Sequence, residues 1–302
     1  MTTYSTLISV DHLQNMQKQG KDLQIWDCSF DLMQPAAGRA AYAQTHIKGA
    51  RYIDLDSDLS DKTGVPDVAS GGRHPLPSQD KFAAWLGAQG VTPATQVVVY
   101  DRNGCNYCGR AWWMLHWLGH TSVAVLDGGL QAWQAVGGAV TVGGAVSAGG
   151  AVESENSASK AFPQEKYPVA AARYAQAAIK EIANGLAKQQ HTIIDARAAP
   201  RFRGEVEPLD PVAGHIPGAL NRPFNLNIGE DGKFKLAAVL RAEFDALLGH
   251  RNPATVVHHC GSGVSAVPNV LAMAIAGYGP TALFAGSWSE WSRDASLPVA
   301  RG

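Results

Sequence analysis

The sequence carries almost no net charge. Its 302 residues include 25 Lys and Arg against 26 Asp and Glu, which gives a formal net charge of −1. A chain without an excess of basic residues lacks the broad positive field that attracts nucleic acid or an anionic membrane surface. We therefore expect neither as a partner, and an anionic ligand would have to be bound by a local site.

Long apolar runs and cysteines are also scarce. No run approaches the roughly 20 apolar residues that a transmembrane helix needs. Residues 1–5 show neither the basic start nor the apolar core of a signal peptide, and four cysteines in a chain of this length do not suggest a disulfide framework. These absences predict a protein of the cytoplasm. Hydrophobic residues make up 46% of the chain, enough for two domains of ordinary size.

Short apolar segments alternate with helical patterns in the first half of the sequence. The pattern predicts strands at residues 23–27, 51–54, 96–100 and 123–126, and helices at residues 9–19, 80–89, 110–118 and 130–136. Strands separated by helices are typical of a parallel sheet that is flanked by helices on both faces. The predicted fold class is therefore α/β.

A stretch rich in Gly and polar residues separates the two halves. Glycine pairs recur at 137–138, 143–144 and 149–150, and a polar run follows at residues 153–160. This composition is typical of a flexible linker, and the stretch is longer than most loops inside one domain. We predict a first domain at residues 1–140, a linker at 141–165 and a second domain at 166–302.

The second half repeats the order of the first. The repeat is clearest in the element His-Ile-x-Gly-Ala, which occurs at residues 46–50 and 215–219. Residues 97–101 match residues 256–260 in the same way, so Asp101 stands where Cys260 stands. Because the first half lacks the thiol, we infer one active domain and one supporting domain.

Cys260 ends an apolar strand pattern and is followed by Gly261-Ser262-Gly263 and by a helical pattern at residues 264–276. A strand, a tight glycine loop and a helix start place a thiol at the mouth of a sheet, where backbone N–H groups turn towards one point. The positive end of the helix, with Pro268 in its first turn, lies at the same point. This environment favours a thiolate.

Three other interpretations apply to this loop. The thiol could be a buried structural cysteine, which the glycine loop and the helix start disfavour. Gly261, Gly263 and Ala266 fit the dinucleotide fingerprint G-x-G-x-x-A, but the next strand ends in Ala285-Gly286 rather than in an acidic residue. A cysteine phosphatase needs an arginine at position 266, where this sequence has alanine.

The sequence as a whole resembles the rhodanese superfamily. The features that carry the resemblance are the similar halves, the repeated His-Ile-x-Gly-Ala, the loop Cys260-Gly261-Ser262-Gly263-Val264-Ser265-Ala266 and the closing Trp288-Ser289-Glu290-Trp291. Within the superfamily the chain is similar to the tandem-domain sulfurtransferases, which implies two tandem rhodanese-like domains. A neutral Cys-Gly-Ser-Gly-Val loop is typical of 3-mercaptopyruvate sulfurtransferases, whereas relatives that prefer thiosulfate typically carry Arg and Lys there.

The resemblance implies a persulfide mechanism in which Cys260 takes a sulfur atom from the donor and passes it on. The loop N–H groups would stabilise the thiolate and the persulfide; the loop residues are Gly261, Ser262, Gly263, Val264 and Ser265. Arg201 would bind the carboxylate and carbonyl groups of the donor. The second arginine of many relatives has no match in Glu207-Pro208-Leu209-Asp210, and the sequence leaves open whether Arg203 replaces it.

The resemblance also implies a proton relay. An Asp, a His and the loop Ser would protonate the leaving enolate, and Asp56, His74 and Ser262 match those positions, the first two in the N-terminal domain. A histidine suits this task because its pKa lies near the operating pH. Tyr107 matches a tyrosine that lies close to the pocket in this family. A role in packing would explain this residue equally well.

Two motifs are left outside this scheme. Cys105-Asn106-Tyr107-Cys108 is a C-x-x-C motif. The sequence has no second such pair, which argues against a structural zinc site. The motif could be a redox pair, or the spacing could be a coincidence. His258 and His259 are neighbours on the strand before Cys260, so one should face the core and the other solvent. We expect neither a metal ion nor a cofactor.

The sequence thus predicts an enzyme that moves sulfur from 3-mercaptopyruvate through a Cys260 persulfide to an acceptor and releases pyruvate. The acceptor would be a thiol, such as thioredoxin, or cyanide. A thiosulfate sulfurtransferase is the first alternative. A non-catalytic rhodanese-like redox or binding module is the second, which the intact Cys260 loop disfavours.

Overall fold

The chain forms two compact units in a computed structural model that describes residues 3–63, 68–143 and 165–302. The first unit comprises Met1–Leu59, Ser78–Ala171 and Asp231–Lys233, and the second comprises Ser60–Pro77, Ala172–Glu230 and Phe234–Gly302. Most of the predicted linker, residues 144–164, lies outside the described residues, so the domain limits stay a prediction. Ser60–Pro77 groups with the second unit, which the repeat in the sequence did not indicate.

The first unit is built on a parallel sheet. Its strands are β1 (Leu7–Ile8), β2 (Leu23–Asp27), β3 (Thr45–Ile47), β4 (Arg51–Tyr52), β5 (Gln96–Tyr100), β6 (Val123–Leu126) and β7 (Val140–Val142). Five of them pair in parallel in the order β1-β6-β5-β2-β4, while β3 and β7 form an antiparallel ribbon. Every residue of β5 is buried, as expected for a β-branched run in a strand that is covered on both faces.

The helices of the first unit agree with the sequence pattern. They are α1 (Val10–Lys18), α2 (Ala36–Gln44), α3 (Gln79–Ala88), α4 (Cys108–Trp117) and α5 (Gly129–Ala135). Ser9 and Ser78 cap α1 and α3, since each hydroxyl oxygen accepts a hydrogen bond of 3.3 Å from a backbone N–H three residues later. The predicted helix ends are correct to within two residues. Only α2, which has no side-chain cap and a short Ala-rich sequence, was not predicted.

The second unit has a four-stranded parallel sheet. Its strands are β8 (Thr192–Asp195), β9 (Leu220–Asn221), β10 (Val256–His259) and β11 (Ala282–Leu283), in the order β11-β10-β8-β9. Its helices are α6 (Ile179–Gly185), α7 (Ala199–Phe202), α8 (Ala237–Leu248), α9 (Val267–Ile275) and α10 (Ser287–Trp291). The α/β prediction is confirmed for both units, which have parallel sheets flanked by helices.

The strand orders confirm the internal repeat. β10 is the counterpart of β5, and a parallel bridge from Gln176 to Leu283 extends the second sheet as β1 extends the first. The two histidines of the repeated element have the same surroundings. His46 stacks on Tyr42 at 3.9 Å and His215 on Phe202 at 3.8 Å, and each Nδ1 lies 2.8 Å from the carbonyl oxygen of the residue it stacks on.

Two sequence expectations near Cys260 were wrong. The helix after the loop begins at Val267 and not at Val264, because the intervening residues form the glycine loop and Gly263 adopts a left-handed φ of +71°. His258 and His259 are both fully buried, since β10 is an inner strand with neighbours on both edges and helices on its faces. Burial lowers the pKa of His258 to about 3.

Candidate active site

Cys260 directly follows β10 at the carboxyl end of the second sheet. Its side chain is buried, with 2% of the residue exposed. The backbone on both sides of the thiol is fixed by α10, because the N–H of Cys260 donates to Ser287 Oγ at 3.1 Å and its carbonyl oxygen accepts from the N–H of Trp288 at 3.0 Å. Cys260 is therefore held in one backbone position by contacts that the sequence pattern did not reveal.

The loop after Cys260 is packed closely against α10 and the residues before it. A Cβ atom added at Gly263 would lie 2.1 Å from the carbonyl oxygen of Ala285, and the carbonyl oxygen of Gly261 accepts from the N–H of Ser289 at 2.8 Å. Glycine is thus required at position 263 both by φ and by space. Among the described residues, the N–H groups of Gly261, Ser262, Val264 and Ser265 have no hydrogen-bond acceptor.

The matching loop of the first unit shows what such N–H groups can bind. Asp101 occupies the position that Cys260 has in the second unit, and its carboxylate accepts hydrogen bonds from the N–H groups of Asn103, Cys105, Tyr107 and Cys108 at 2.8–3.1 Å. The loop after the central strand is therefore an anion-binding loop. In the first unit it is filled by its own aspartate, and in the second unit a thiol replaces that aspartate.

His74 and Ser262 are brought together within the second unit. His74 Nδ1 lies 2.8 Å from Ser262 Oγ, and both residues are buried. The contact depends on the segment Ser60–Pro77, which carries the histidine into the same unit as the Cys260 loop. Two of the three predicted relay residues thus form a direct hydrogen bond.

The closing helix α10 holds that segment in place. The N–H of Arg73 donates to Ser289 Oγ at 2.9 Å, and the N–H of Gly71 donates to Glu290 Oε1 at 3.3 Å. Burial raises the pKa of Glu290, although this hydrogen bond opposes the effect. The Trp-Ser-Glu-Trp motif of the sequence therefore has a structural role next to the site, which its composition alone did not identify.

Two guanidinium groups lie beside the loop. A Cβ atom built on Gly261 would be 3.5 Å from Arg201 Nη1, 3.7 Å from Arg201 Nη2 and 3.7 Å from Arg73 Nη1. Arg201 was predicted from the sequence. Arg73 was not, although it precedes His74 and could have been found as a basic residue next to a predicted relay histidine.

The acidic residues that replace the expected second arginine bind these two cations. Arg201 Nη2 lies 2.6 Å from Glu207 Oε1, while Asp210 contacts Arg73 Nη2 through Oδ1 at 2.6 Å and Arg201 Nη2 through Oδ2 at 3.3 Å. Burial raises the pKa of Asp210, and Arg73 opposes that shift. Arg203 is exposed and pairs with Glu205 at 2.6 Å, so the structure gives it a partner other than the Cys260 loop.

Asp56 and Tyr107 belong to the first unit. Asp56 lies in a turn, half-buried, and its N–H donates to Asp54 Oδ1 at 2.9 Å. Tyr107 packs edge-on against Phe30 with ring centroids 5.5 Å apart, and burial raises the pKa of its hydroxyl. Their roles at the site stay predictions.

The C-x-x-C motif is buried in the first unit. Cys105 and Cys108 are free thiols, at most 5% exposed, and burial raises the pKa of Cys108 well above the usual value. In the part of the chain that the structure describes, no group of three or more His, Cys, Asp or Glu side chains is arranged to hold a metal ion. None of the helices within the described ranges is long and apolar enough to span a bilayer.

Known proteins share this architecture over nearly the whole chain. A family model described as a rhodanese-like domain matches residues 9–136 and 178–294. The chain is 44% identical, over 284 residues and 93% of each protein, to the probable 3-mercaptopyruvate sulfurtransferase of Pseudomonas aeruginosa. It is also 39% identical, over 98% of its own length and 97% of the relative, to the putative thiosulfate sulfurtransferase SseB of Mycobacterium tuberculosis.

A solved structure extends the comparison. The crystal structure of SseA from Escherichia coli, a 3-mercaptopyruvate sulfotransferase, matches with a TM-score of 0.72 at 30% sequence identity. The match covers 95% of this chain and 100% of SseA. Both the tandem arrangement of the sequence and the fold of each unit are therefore found in proteins of this kind.

Proposed function

The chain belongs to the rhodanese-like domain family, and from this premise we propose that it is a sulfurtransferase whose donor is 3-mercaptopyruvate. The observation that carries the donor assignment is the 2.8 Å hydrogen bond between His74 and Ser262, two positions from Cys260. A relay that moves a proton is needed when the leaving group is a carbon anion. Sulfite, which leaves thiosulfate, needs no proton on carbon.

In the proposed first step the Cys260 thiolate attacks the sulfur atom of the donor. An S–S bond forms, the C–S bond of the donor breaks, and its electron pair stays on carbon as the enolate of pyruvate. The proton of the donor's thiol group passes to that carbon, so the products are pyruvate and a Cys260 persulfide anion. Ser262 and His74 carry the proton, and Asp56 is proposed as the third relay member on the resemblance alone.

The second step returns the enzyme to its first state. An acceptor thiol takes the outer sulfur of the persulfide, its own proton moves to that sulfur, and the Cys260 thiolate is the leaving group. Both anionic states of Cys260 face a loop whose N–H groups at Gly261, Ser262, Val264 and Ser265 have no acceptor among the described residues. We assign the stabilisation of thiolate and persulfide to these groups, together with that of Gly263.

Arg201 is assigned to the donor. Its guanidinium group lies beside Gly261 and has 19% of its side chain exposed, so it can bind a carboxylate or a carbonyl oxygen of a ligand above Cys260. Because Glu207 and Asp210 bind the guanidinium group of Arg201, Arg201 is pre-organised for its contact with the donor.

Tyr107 is proposed as a further residue close to the donor, on the resemblance alone.

The nucleophile is tested by substitution of Cys260. Cys260→Ser should form no persulfide and transfer no sulfur from either donor, because a serine hydroxyl cannot form the intermediate. Intact-protein mass spectrometry after incubation with 3-mercaptopyruvate measures the added sulfur, and Cys28→Ser, which alters a buried cysteine of the first unit, is the control. Sulfur transfer by Cys260→Ser would contradict the mechanism.

The donor is tested by comparing kcat/KM for 3-mercaptopyruvate and thiosulfate on one preparation. We expect a clear preference for 3-mercaptopyruvate. The competing candidate is thiosulfate, which is favoured by the 39% identity to a protein named as a putative thiosulfate sulfurtransferase. A preference for thiosulfate would replace our donor assignment. The two relatives described above, which match more than 90% of the chain, are both named as sulfurtransferases and so do not favour the non-catalytic alternative.

The acceptor and the cellular site are further parts of the proposal. We propose a thiol acceptor, such as thioredoxin, with cyanide as an alternative, and we place the reaction in the cytoplasm. All four cysteines are free, which agrees with a reducing compartment. Turnover with reduced thioredoxin, with a small thiol and with cyanide, measured at saturating donor, ranks the acceptors. Turnover with none of them would refute the acceptor assignment.

A further inference from the structure

We propose that the second unit has a further binding site, for a small organic carboxylate with an apolar body, in a cavity at the opposite end of its sheet from Cys260. The cavity has a volume of about 500 Å³, which is in the range of sites for small molecules. It lies beside Thr192 and Ile193, the first residues of β8. Because β8 runs parallel to β10, which ends directly before Cys260, the cavity and the thiol are at opposite ends of the sheet. The inference goes beyond the proposed function and does not depend on it.

The inner surface of the cavity is apolar. Ile182 of α6 and Ile193 of β8 belong to the buried core of the unit, with 1% and 4% of each residue exposed, and Leu186 packs against the same core. Pro217 and Pro298 complete the apolar lining. These side chains offer no hydrogen-bonding groups, so the part of a ligand that contacts them must be apolar.

Polar side chains line the rest of the cavity, and those with more than one hydrogen-bonding group or a charge are Gln189, His191 and Arg251. Among its described lining residues none is acidic. Within the described ranges the exposed Arg251 donates only through Nη1, to the carbonyl oxygen of Leu248 at 3.4 Å. The remaining N–H groups of its guanidinium group are therefore available to a ligand. An arginine in this state binds a carboxylate through paired, charge-assisted hydrogen bonds.

The imidazole of His191 is held in place at the cavity. A Cβ atom built on Gly185 would lie 3.0 Å from His191 Cδ2, so the end of α6 approaches the ring as closely as a glycine allows. On its other side, Nε2 lies 3.7 Å from Glu181 Oε1, a carboxylate that is 54% exposed and is not part of the cavity lining. A side chain fixed in this way loses little conformational freedom when it donates to a ligand.

The first unit closes the corresponding place with a hydrogen bond. In the alignment that pairs the two His-Ile-x-Gly-Ala elements, Gln17 corresponds to Leu186 and Lys48 to Pro217. Gln17 Nε2 donates to the carbonyl oxygen of Lys48 at 3.4 Å, which joins the end of α1 to the turn before β4. The leucine of the second unit cannot make this bond. The same place is therefore bridged by polar groups in the first unit and lined by an apolar side chain in the second.

The polar residues around this place also differ between the units. In the same alignment Asp22 corresponds to His191 and Gly20 to Gln189. The Asp22 carboxylate accepts from Thr95 Oγ1 at 2.8 Å, whereas the second unit has an imidazole there. Gly20 and Gln189 both have left-handed φ angles, of +58° and +48°, a conformation that favours glycine. The second unit thus has an amide side chain where the backbone favours glycine and an imidazole in place of an acid, and both line the cavity.

The test compares two probes of the same shape. Indole-3-acetate carries a carboxylate on an apolar ring system, and indole-3-acetamide is its neutral counterpart. Ligand-detected NMR titrations of the full chain should show saturable binding of the acetate and weaker binding of the amide. Arg251→Gln should weaken binding of the acetate about 10-fold or more, because charge-assisted hydrogen bonds are lost, and should leave the amide unchanged. No saturable binding of the acetate, or equal affinities for both probes in the wild type, would overturn the proposal.

Two substitutions introduce residues of the first unit. Leu186→Gln should weaken the binding of both probes, because the glutamine can donate to the carbonyl oxygen of Pro217 and bridge the cavity. His191→Asp should weaken the binding of the acetate only, because it adds a negative charge at the cavity. Arg241→Gln, which removes an exposed charge on α8 that pairs with Asp245, controls for net charge and should bind both probes like the wild type. Acetate binding at the wild-type level in both Leu186→Gln and His191→Asp would refute the site.

A last variant separates the cavity from the site at Cys260, which also has guanidinium groups. Arg201→Gln should bind indole-3-acetate like the wild type. A loss in Arg201→Gln without a loss in Arg251→Gln would place the probe beside Cys260 and would overturn the proposal. Persulfide formation from 3-mercaptopyruvate should stay at the wild-type level in Arg251→Gln, since this exposed side chain lies at the other end of the sheet. The proposed function is thus judged by the persulfide and this inference by the probes.

Discussion

His74 Nδ1 lies 2.8 Å from Ser262 Oγ, a contact between residues 188 positions apart in the chain. The histidine comes from a segment of the first half of the sequence that packs with the second unit, and the serine lies two residues after Cys260. This hydrogen bond is what distinguishes the site from a thiol in a glycine loop alone, because it supplies a group that can move a proton.

His74→Ala should slow turnover of 3-mercaptopyruvate far more than turnover of thiosulfate. We expect a loss in kcat of about 100-fold or more with the first donor, as is typical when a general acid–base group is removed. Thiosulfate turnover should change little, because sulfite leaves without protonation on carbon. Steady-state kinetics with both donors measures the difference. Ser262→Ala should show the same selectivity, and equal losses on both donors in both variants would argue against the relay.

Gly263→Ala and Gly261→Ala form a matched pair of substitutions. At position 263 the new Cβ would meet the Ala285 carbonyl oxygen at 2.1 Å in a left-handed conformation, so the loop must shift, at a cost of roughly 1–3 kcal/mol. Position 261 has ordinary contact distances from 3.5 Å. We expect Gly263→Ala, but not Gly261→Ala, to lose persulfide formation and to have a lower unfolding midpoint.

Gly261→Ala should fold with the midpoint of the wild type but bind the donor more weakly, because its methyl group occupies the space between Arg201 and Arg73. Urea unfolding followed by tryptophan fluorescence and KM for 3-mercaptopyruvate check the pair. A destabilised Gly261→Ala together with an intact Gly263→Ala would contradict the described loop.

Asp101→Ala should destabilise the first unit by about 3 kcal/mol, because it leaves backbone N–H groups at the buried Cys105 and Cys108 without an acceptor. Asp101→Asn should cost less, since one oxygen can still accept. Urea unfolding gives the free energy of unfolding of both variants, with Asn103→Ala at an exposed position of the same loop as the control. Wild-type stability in Asp101→Ala would mean that these hydrogen bonds contribute little.

The buried His258 should make stability fall at acid pH. Burial lowers its folded-state pKa to about 3, whereas an unfolded histidine has a pKa of about 6.5. Below pH 6.5 the unfolded state therefore binds more protons than the folded state. The contribution of the neutral, buried His258 to stability is complete above pH 6.5 and is lost progressively as the pH falls towards 3. Between pH 6.5 and 5 the loss is about 2 kcal/mol.

Replacement of His258 by Leu should flatten this part of the pH profile, because the titrating group is gone. The free energy of unfolding in urea, measured from pH 7.5 to 5, tests it, and His250→Gln, at an exposed position, should retain the wild-type slope. An unchanged slope in His258→Leu would assign the acid sensitivity to other groups.

The sequence alone determined four of the strands and four of the five helices of the first unit, and the repetition of their order in the second half. The β-branched run in Gln96–Tyr100 and the repeated His-Ile-x-Gly-Ala element are local signals, so each could be interpreted without knowledge of the fold. The glycines beside Cys260 were also informative, because a left-handed turn at Gly263 is a local requirement.

The tertiary structure decided which distant residues meet at Cys260. No local pattern reveals that Ser60–Pro77 packs with the second unit, that Arg73 shares Asp210 with Arg201, or that Ser289 fixes the backbone of Arg73. From the sequence, Glu207 and Asp210 were noted only because they stand where many relatives have a second arginine. In the structure their carboxylates pair with Arg201, and Asp210 also pairs with Arg73. The physical reason is that contacts between segments arise from the packing of whole elements, and a single sequence specifies those only through the complete fold.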